Sequence, residues 1–311
     1  MLEAMKNNVI KFIKALVYHL SRERRFIDDR LTIAYVENVL EKHVNLADIN
    51  IPSHYLKFCF DLFSKTEIRV EKVKWQEMSD DLSFKRFDRL IQLLEVSMPG
   101  YNTTLALELL DTANELSESH DEMPGTGLDV TQHFLVSSSF SFKGKLLFNS
   151  IRFMRPTTCV EIGTAYGMSA MFTLQALRNL GENGRLWTIE AADIQYAKSS
   201  KLLNKKFNSQ VTCLHGMSTE CLPSVVEEVD AIDFYFHDGG HQYDNIVNNF
   251  RQVKPHLRSG SVVLIDDIHW WDKRLTNEDP RCYEAWKLIT DDPSVGCAIE
   301  VNNSIGVAII L

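Results

Sequence analysis

The chain has 311 residues, 45% of them hydrophobic and 24% charged, which excludes long disorder, a collagen-like repeat or a coiled coil as the main architecture and allows one large or two modest cores. The net charge of -9 is divided almost evenly between the first 124 residues (16 basic, 21 acidic) and the rest (17 basic, 21 acidic). No Lys/Arg footprint for neutralising phosphates stands out, so a nucleic acid is not an expected partner. The densest basic cluster, Arg22, Arg24, Arg25 and Arg30, is diluted by Glu23, Asp28 and Asp29 and reads as a solvated helix end.

In chain order, Val9, Phe12, Ile13, Leu16, Val17 and Leu20 form one apolar helix face. Lys11 and Lys14 interrupt it and no small-residue cleavage site follows, so the segment reads as neither a signal peptide nor a membrane span, and a cytoplasmic location is expected. Helical periodicity continues through Leu31, Tyr35 and Val39, through Tyr55, Leu56, Cys59 and Phe63 behind Pro52-Ser53, through Phe84, Phe87, Ile91 and Leu94, and through Leu105, Leu109, Ala113 and Leu116. A short alternating stretch around Ile68 and Val70 allows a strand. Residues 1–125 are therefore expected to be a helical domain, a dimerisation arm, a lid or a substrate-binding surface, with a polar linker at Ser117–Thr126.

Residues 126–311 differ in kind. Of 14 glycines only Gly100 precedes residue 125, so the backbone freedom that tight turns need is concentrated here. Apolar, β-rich runs at Cys159–Ile162, Leu186–Ile189, Val211–Leu214, Ile232–Phe236 and Ser261–Ile265 alternate with helix-length segments, the pattern of a parallel sheet covered on both faces. Two last runs, Gly296–Val301 and Gly306–Leu311, are joined by Asn302-Asn303-Ser304 and predict a hairpin on the sheet edge. The six cysteines show no zinc-type spacing and read as buried free thiols.

In such a sheet ligands lie beyond the carboxyl ends of the strands. The first strand runs into Val160-Glu161-Ile162-Gly163-Thr164-Ala165-Tyr166-Gly167-Met168-Ser169. A glycine-bearing turn into a helix lets backbone lie against a ligand. Glu161 would repel a pyrophosphate and attract an ammonium, which fits S-adenosylmethionine; alternatively Glu161 caps the turn. Glu190, ending the second strand, suits ribose hydroxyls, and Gly216-Met217-Ser218 follows the third. The fourth and fifth strands end in His237-Asp238-Gly239-Gly240-His241 and Asp266-Asp267-Ile268-His269-Trp270-Trp271. Three converging carboxylates would repel one another unless a cation sits among them; magnesium or manganese is one solution, and helix capping with backbone bonding is the other.

The run V-E-I-G-T-A-Y-G-M-S, the F-K-G-K segment ending at Lys145, and the pair H-D-G-G-H and I-D-D-I-H-W together resemble class I S-adenosylmethionine-dependent methyltransferases, specifically the catechol and caffeoyl-CoA branch and the mycinamicin-type sugar O-methyltransferases. The resemblance covers about residues 130–311 and implies an α/β fold, a Rossmann-like seven-stranded sheet, beside the all-helical N-terminal domain. It implies cofactor contacts at Glu161, Gly163, Gly167, Ser169, Glu190 and Ser218, and Asp238, Asp266 and Asp267 as ligands of Mg2+ or Mn2+. In the catechol enzymes the third ligand is an amide where this chain has Asp267, and a lysine base stands where it has His241, as the sugar enzymes do.

The expectation is therefore a metal-assisted O-methyltransferase of a small hydroxylated metabolite or sugar, of the kind found in secondary metabolism. Asp238 and His241 are the catalytic pair. His241 suits a general base near neutral pH, although a helix-start residue or a metal-sphere partner are the other roles open to it. His269 is the second candidate base, and Trp270 and Trp271 would wall the acceptor pocket. The alternatives are a metal-independent N-methyltransferase of a small amine and a non-catalytic binding module. The expected partners are a small-molecule acceptor and a second copy of the chain, joined through residues 1–125.

Overall fold

The computed structural model describes residues 70–75, 142–181, 183–269 and 279–311. The chain divides into two compact units, Met1–Lys65 with Asn102–Phe140 and Thr66–Tyr101 with Ser141–Leu311, and every described residue belongs to the second. The five helical stripes expected in residues 1–125 lie outside the described residues.

The elements are β1 (Val70–Trp75), α1 (Phe142–Met154), β2 (Thr158–Ile162), α2 (Met168–Leu180), β3 (Arg185–Glu190), α3 (Asp193–Phe207), β4 (Val211–His215), α4 (Ser218–Glu228), β5 (Ile232–His237), α5 (Tyr243–Val253), β6 (Leu257–Ile265), α6 (Cys282–Thr290), β7 (Val295–Val301) and β8 (Ile305–Ile310). They build one sheet in the order β1-β7-β8-β6-β5-β2-β3-β4. The pairs from β6 through β4 are parallel, and β8, β7 and β1 add on antiparallel. Strand order reverses at β2, which has β3 on one side and β5 on the other, so the crevice for a ligand opens beyond the ends of β2 and β5.

Seven strands, β2–β8, arise where the apolar runs predict them. The eighth corrects two expectations. Val70–Trp75, where the alternating stretch around Ile68 and Val70 allows a strand, pairs antiparallel with β7, so residues 1–125 are not all helical. The terminal hairpin is also not the sheet edge: β8 inserts between β6 and β7, and β1 covers β7. Every residue of β7 is buried, which an uncovered edge strand would not achieve. The hairpin turn itself follows the sequence. Asn302 and Asn303 take φ of 51° and 50° and Ser304 N–H donates to the Val301 carbonyl at 3.1 Å, the geometry that matches strand twist in a tight connection.

Strand alternation sorts the core. Val160, Ile162, Trp187, Ile189, Tyr235, Val263 and Ile265 pack with Leu222 and Val225 of α4, Ile246, Val247 and Phe250 of α5, and Ala285, Trp286 and Ile289 of α6. Spacing explains α5: Ile246, Val247, Phe250 and Val253 are buried while Asp244, Asn248 and Arg251 are exposed. Each fully buried Ile or Phe contributes roughly 1.5–3 kcal/mol relative to exposure. Cys159, Glu161, Leu186, Thr188, Phe234, Phe236 and Leu264 take the opposite parity, toward the side where α1 and α2 pack together.

At the end of the sheet away from the crevice, Asp233 of β5 accepts hydrogen bonds from Thr157 N–H (2.7 Å), Thr157 Oγ1 (2.8 Å), Thr158 N–H (3.1 Å) and the Arg258 guanidinium. Burial alone would raise its pKa, and these donors hold it below the ordinary 3.8. One carboxylate thus ties the entries of β2, β5 and β6 together. Among the described residues no helix is long and apolar enough to cross a membrane.

Candidate functional site

The turn after β2 is built to bring two strand ends together. Gly163 has φ of 89°, and a Cβ there would stand 2.3 Å from the Asp238 carbonyl oxygen; Asp238 N–H in turn donates to the Ile162 carbonyl at 2.8 Å. The close approach that Gly163 permits is therefore to the backbone after β5, which sets the crevice rather than lining it alone. Gly167, with φ of 90°, precedes α2, and a Cβ there would make only ordinary contact with Leu203. Backbone conformation, not crowding, selects glycine at that position. Between them Ala165 takes a left-handed φ of 47°, and its N–H is held by Glu190 Oε2 at 2.7 Å.

Glu161 points into this corner and is 1% exposed. Its Oε2 accepts from Thr188 Oγ1 at 2.6 Å, Ser169 is a second donor to the carboxylate, and Oε1 is buried without a hydrogen-bond partner. Burial pushes its pKa up to about 7, against the Ser169 and Thr188 hydrogen bonds that pull it down, with the Glu190 charge adding to the rise and Lys143 opposing it. A buried carboxylate oxygen without a donor is costly, and a ligand ammonium placed there would satisfy it. Glu190 accepts from Ala165 N–H and, through Oε1, from Ala192 N–H at 2.9 Å. It therefore splints the turn, while each carboxylate oxygen retains a further lone pair for a hydroxyl. Ser218 shares a hydrogen bond with Asn249, whose amide is 3.1 Å from His237 Nε2. That hydroxyl is engaged with the Asn249 amide. Exposed Ile194 and Met217 lie within four residues of the β3 and β4 ends and give that side an apolar surface.

The ends of β5 and β6 carry the acidic cluster. Asp266 is 1% exposed, and the Asp238 side chain 17%. Between them lies the ammonium of Lys143, from the first turn of α1, bonded to Asp238 Oδ2 at 3.1 Å and in a short contact with Asp266 Oδ2. Burial would lower the lysine pKa, but Asp238, Asp266 and Asp267 together raise it above its ordinary value. Burial and the Asp266 charge push Asp238 well up. Burial acts the same way on Asp266, where Lys143 prevails and holds it low. Asp267 begins the following loop at φ of 52°. His241 Nε2 lies 3.9 Å from Asp238 Oδ1, and its side chain is 24% exposed. His269 pairs with Glu300 at 3.1 Å and stacks on Tyr283, whose hydroxyl donates to the same carboxylate at 3.0 Å, an orienting arrangement rather than a free base. Trp270 and Trp271 lie outside the described residues.

Of the three aspartates expected to hold a metal ion, Asp238 and Asp266 meet a lysine ammonium in this structure. Among the described residues no group of three or more His, Cys, Asp or Glu side chains is arranged to hold a metal ion. The repulsion between Asp238 and Asp266 is relieved by the Lys143 ammonium, whose side chain is 3% exposed. Lys143 stands in the F-K-G-K segment, which by itself assigns it no role; its signal in the sequence is an acidic cluster in need of a counter-charge. Thr188 was also missed, although a threonine inside the apolar run Leu186-Trp187-Thr188-Ile189 is itself a cue that a buried polar partner is near.

Residues 160–268 match the family model of a methyltransferase domain. Curated relatives include the rhamnosyl O-methyltransferases of Mycobacterium tuberculosis (strain H37Rv) and Mycobacterium bovis (strain AF2122/97), each 21% identical over 121 residues, covering 37% of this chain and 46% of theirs. The chain thus spans less than half the length of the curated relatives it matches. The SAH-bound methyltransferase of Podospora anserina shares the fold, with a TM-score of 0.52 at 14% identity over 76% of this chain and 99% of that one. An O-methyltransferase from Bacillus cereus in complex with SAH gives a TM-score of 0.49 at 20% identity, over 73% and 99%. The similarity to methyltransferases is thereby borne out over residues 160–268, which hold the first motif, His237–His241 and Asp266–Ile268.

Proposed function

We propose that the chain is an S-adenosylmethionine-dependent O-methyltransferase acting on a small hydroxylated molecule, with a sugar hydroxyl favoured by the likeness to rhamnosyl O-methyltransferases. The observation that carries the reading is Glu161: a buried carboxylate with one oxygen unpartnered, at the point where strand order reverses, beside two glycine-bearing turns. That environment fits a ligand presenting an ammonium. Glu190, one strand over, offers its remaining lone pairs to vicinal hydroxyls, and Gly167 and Ser169 lead the intervening helix.

When bound, S-adenosylmethionine supplies a methyl carbon on a sulfonium; the acceptor oxygen bonds to that carbon as the carbon–sulfur bond breaks, and the hydroxyl proton must be taken up. The side chains mainly align the reacting groups, and orientation of this kind is worth roughly 7–11 kcal/mol. His241, partly exposed after the end of β5, accepts the proton, and Asp238 at 3.9 Å orients the imidazole. No step is assigned to a metal ion, because Lys143 fills the place between the carboxylates.

The test is direct. The purified protein should bind S-adenosylmethionine in calorimetry and add one methyl group to rhamnose-containing or other hydroxylated acceptors, read by mass. H241A should lower turnover by about 10²–10⁴-fold with cofactor affinity unchanged. A chain that binds no S-adenosylmethionine overturns the reading, and an H241A variant with native turnover removes His241 from it.

A further inference from the structure

We infer that Lys143 is an internal cation that takes the place of a divalent metal at the ends of β5 and β6, as a positioning residue holding Asp238 and Asp266 for the catalytic base. Three geometric facts carry this. The ammonium contacts both carboxylates. Lys143 and Asp266 are almost fully buried, at 2% and 1% exposure, so solvent screening does not weaken the pair. The other Asp266 oxygen, Oδ1, is buried without a hydrogen-bond partner, so the carboxylate depends on Lys143 and its neighbours for compensation. Lys143 arrives from α1, whose next residues Leu146, Leu147, Phe148 and Ile151 are wholly buried; helix packing therefore fixes where the ammonium sits. A lysine held this way is the same charge at every metal concentration, and the acceptor site is preorganised without metal uptake.

The role in catalysis rests on the methyl-transfer reading above, but the replacement of a metal by an ammonium does not, and the two are separable by experiment. The full-length protein, K143M and K143R are titrated with Mn2+ alone and followed by electron paramagnetic resonance and by thermal melting. The native chain and K143R should take up no stoichiometric Mn2+ at this cluster, and native turnover should be indifferent to a chelator. K143M, with two carboxylates and no cation, should bind one Mn2+ at least about 100-fold more tightly than the native chain, and K143M/D266N should lose it. Where K143M does not fold in chelator, its recovery on adding Mn2+ supports the inference and failure to recover overturns it. Stoichiometric Mn2+ on the native chain that D266N abolishes overturns it, as does a folded K143M that binds none or a K143R that binds one. The Mn2+ measurements stand even if no methyl transfer is found.

Discussion

Replacing Glu161 by Gln offers a quantitative test because the native site is built against its own ionisation. The Glu161 pKa is pushed from an ordinary 4.5 up to about 7 by burial, and at roughly 1.4 kcal/mol per pH unit this makes the charged form cost about 3 kcal/mol of folding stability. The sign follows from proton binding. Between pH 4.5 and 7 the folded protein holds a proton that the unfolded chain has released, so this residue lowers stability as pH rises through that window, and the loss is complete above about 7. E161Q cannot ionise. Its stability relative to the native chain, from urea melts at pH 5 and pH 8 without ligand, should therefore rise by about 2.5 kcal/mol between the two. The amide introduces a buried N–H in place of the unpartnered Oε1, which displaces the whole difference at every pH but leaves its slope. Cofactor affinity should move the other way, falling about 10- to 100-fold at pH 8 through loss of a hydrogen bond to a charged group. A native-minus-variant difference that is flat with pH refutes the assignment of Glu161 as a strained carboxylate.

Two further substitutions test the frame around the site. G163A should destabilise by about 3–5 kcal/mol, because its methyl collides with the Asp238 carbonyl on top of the unfavourable φ, whereas G167A should cost about 1–2 kcal/mol from φ alone; equal costs in chemical denaturation would contradict the close strand approach. D233N should lower stability by about 2–4 kcal/mol near neutral pH, and since the Asp233 pKa is held below 3.8, the deficit should narrow as pH falls below that value in acid melts. An undiminished deficit at low pH would detach it from the Thr157 and Arg258 bonds.

The central sheet was legible because parallel strands covered on both faces need near-continuous apolar runs, and Val160–Ile162, Ile232–Phe236 and Val262–Ile265 have them. The hairpin turn was legible because two consecutive left-handed residues favour Asn. The sheet's edge was not. Whether Val295–Val301 lies at an edge depends on β1, a partner from the other end of the chain, and no local pattern in either strand encodes that pairing. Gly163 illustrates an intermediate case: a glycine between strand and helix is visible as a need for close approach, but what approaches, a ligand or the Asp238 backbone, is decided in three dimensions.

The acidic cluster shows where electrostatic reasoning from sequence stops. Asp238 and Asp266 at neighbouring strand ends require a positive charge, and that requirement is readable from the strand pattern alone. The identity of the charge is a different question, because a divalent ion and an ammonium both meet it. Lys143 lies 95 and 123 residues away from the two carboxylates it joins, and only the docking of α1 against the sheet brings it there. In the proposal above, one side chain at the start of one helix decides between two chemistries, a dissociable metal or a covalently attached cation, on an otherwise unchanged set of strand-end residues. If the Mn2+ titration separates native from K143M as expected, the same three aspartates cannot by themselves be read as a metal site in any chain whose preceding helix places a lysine over them.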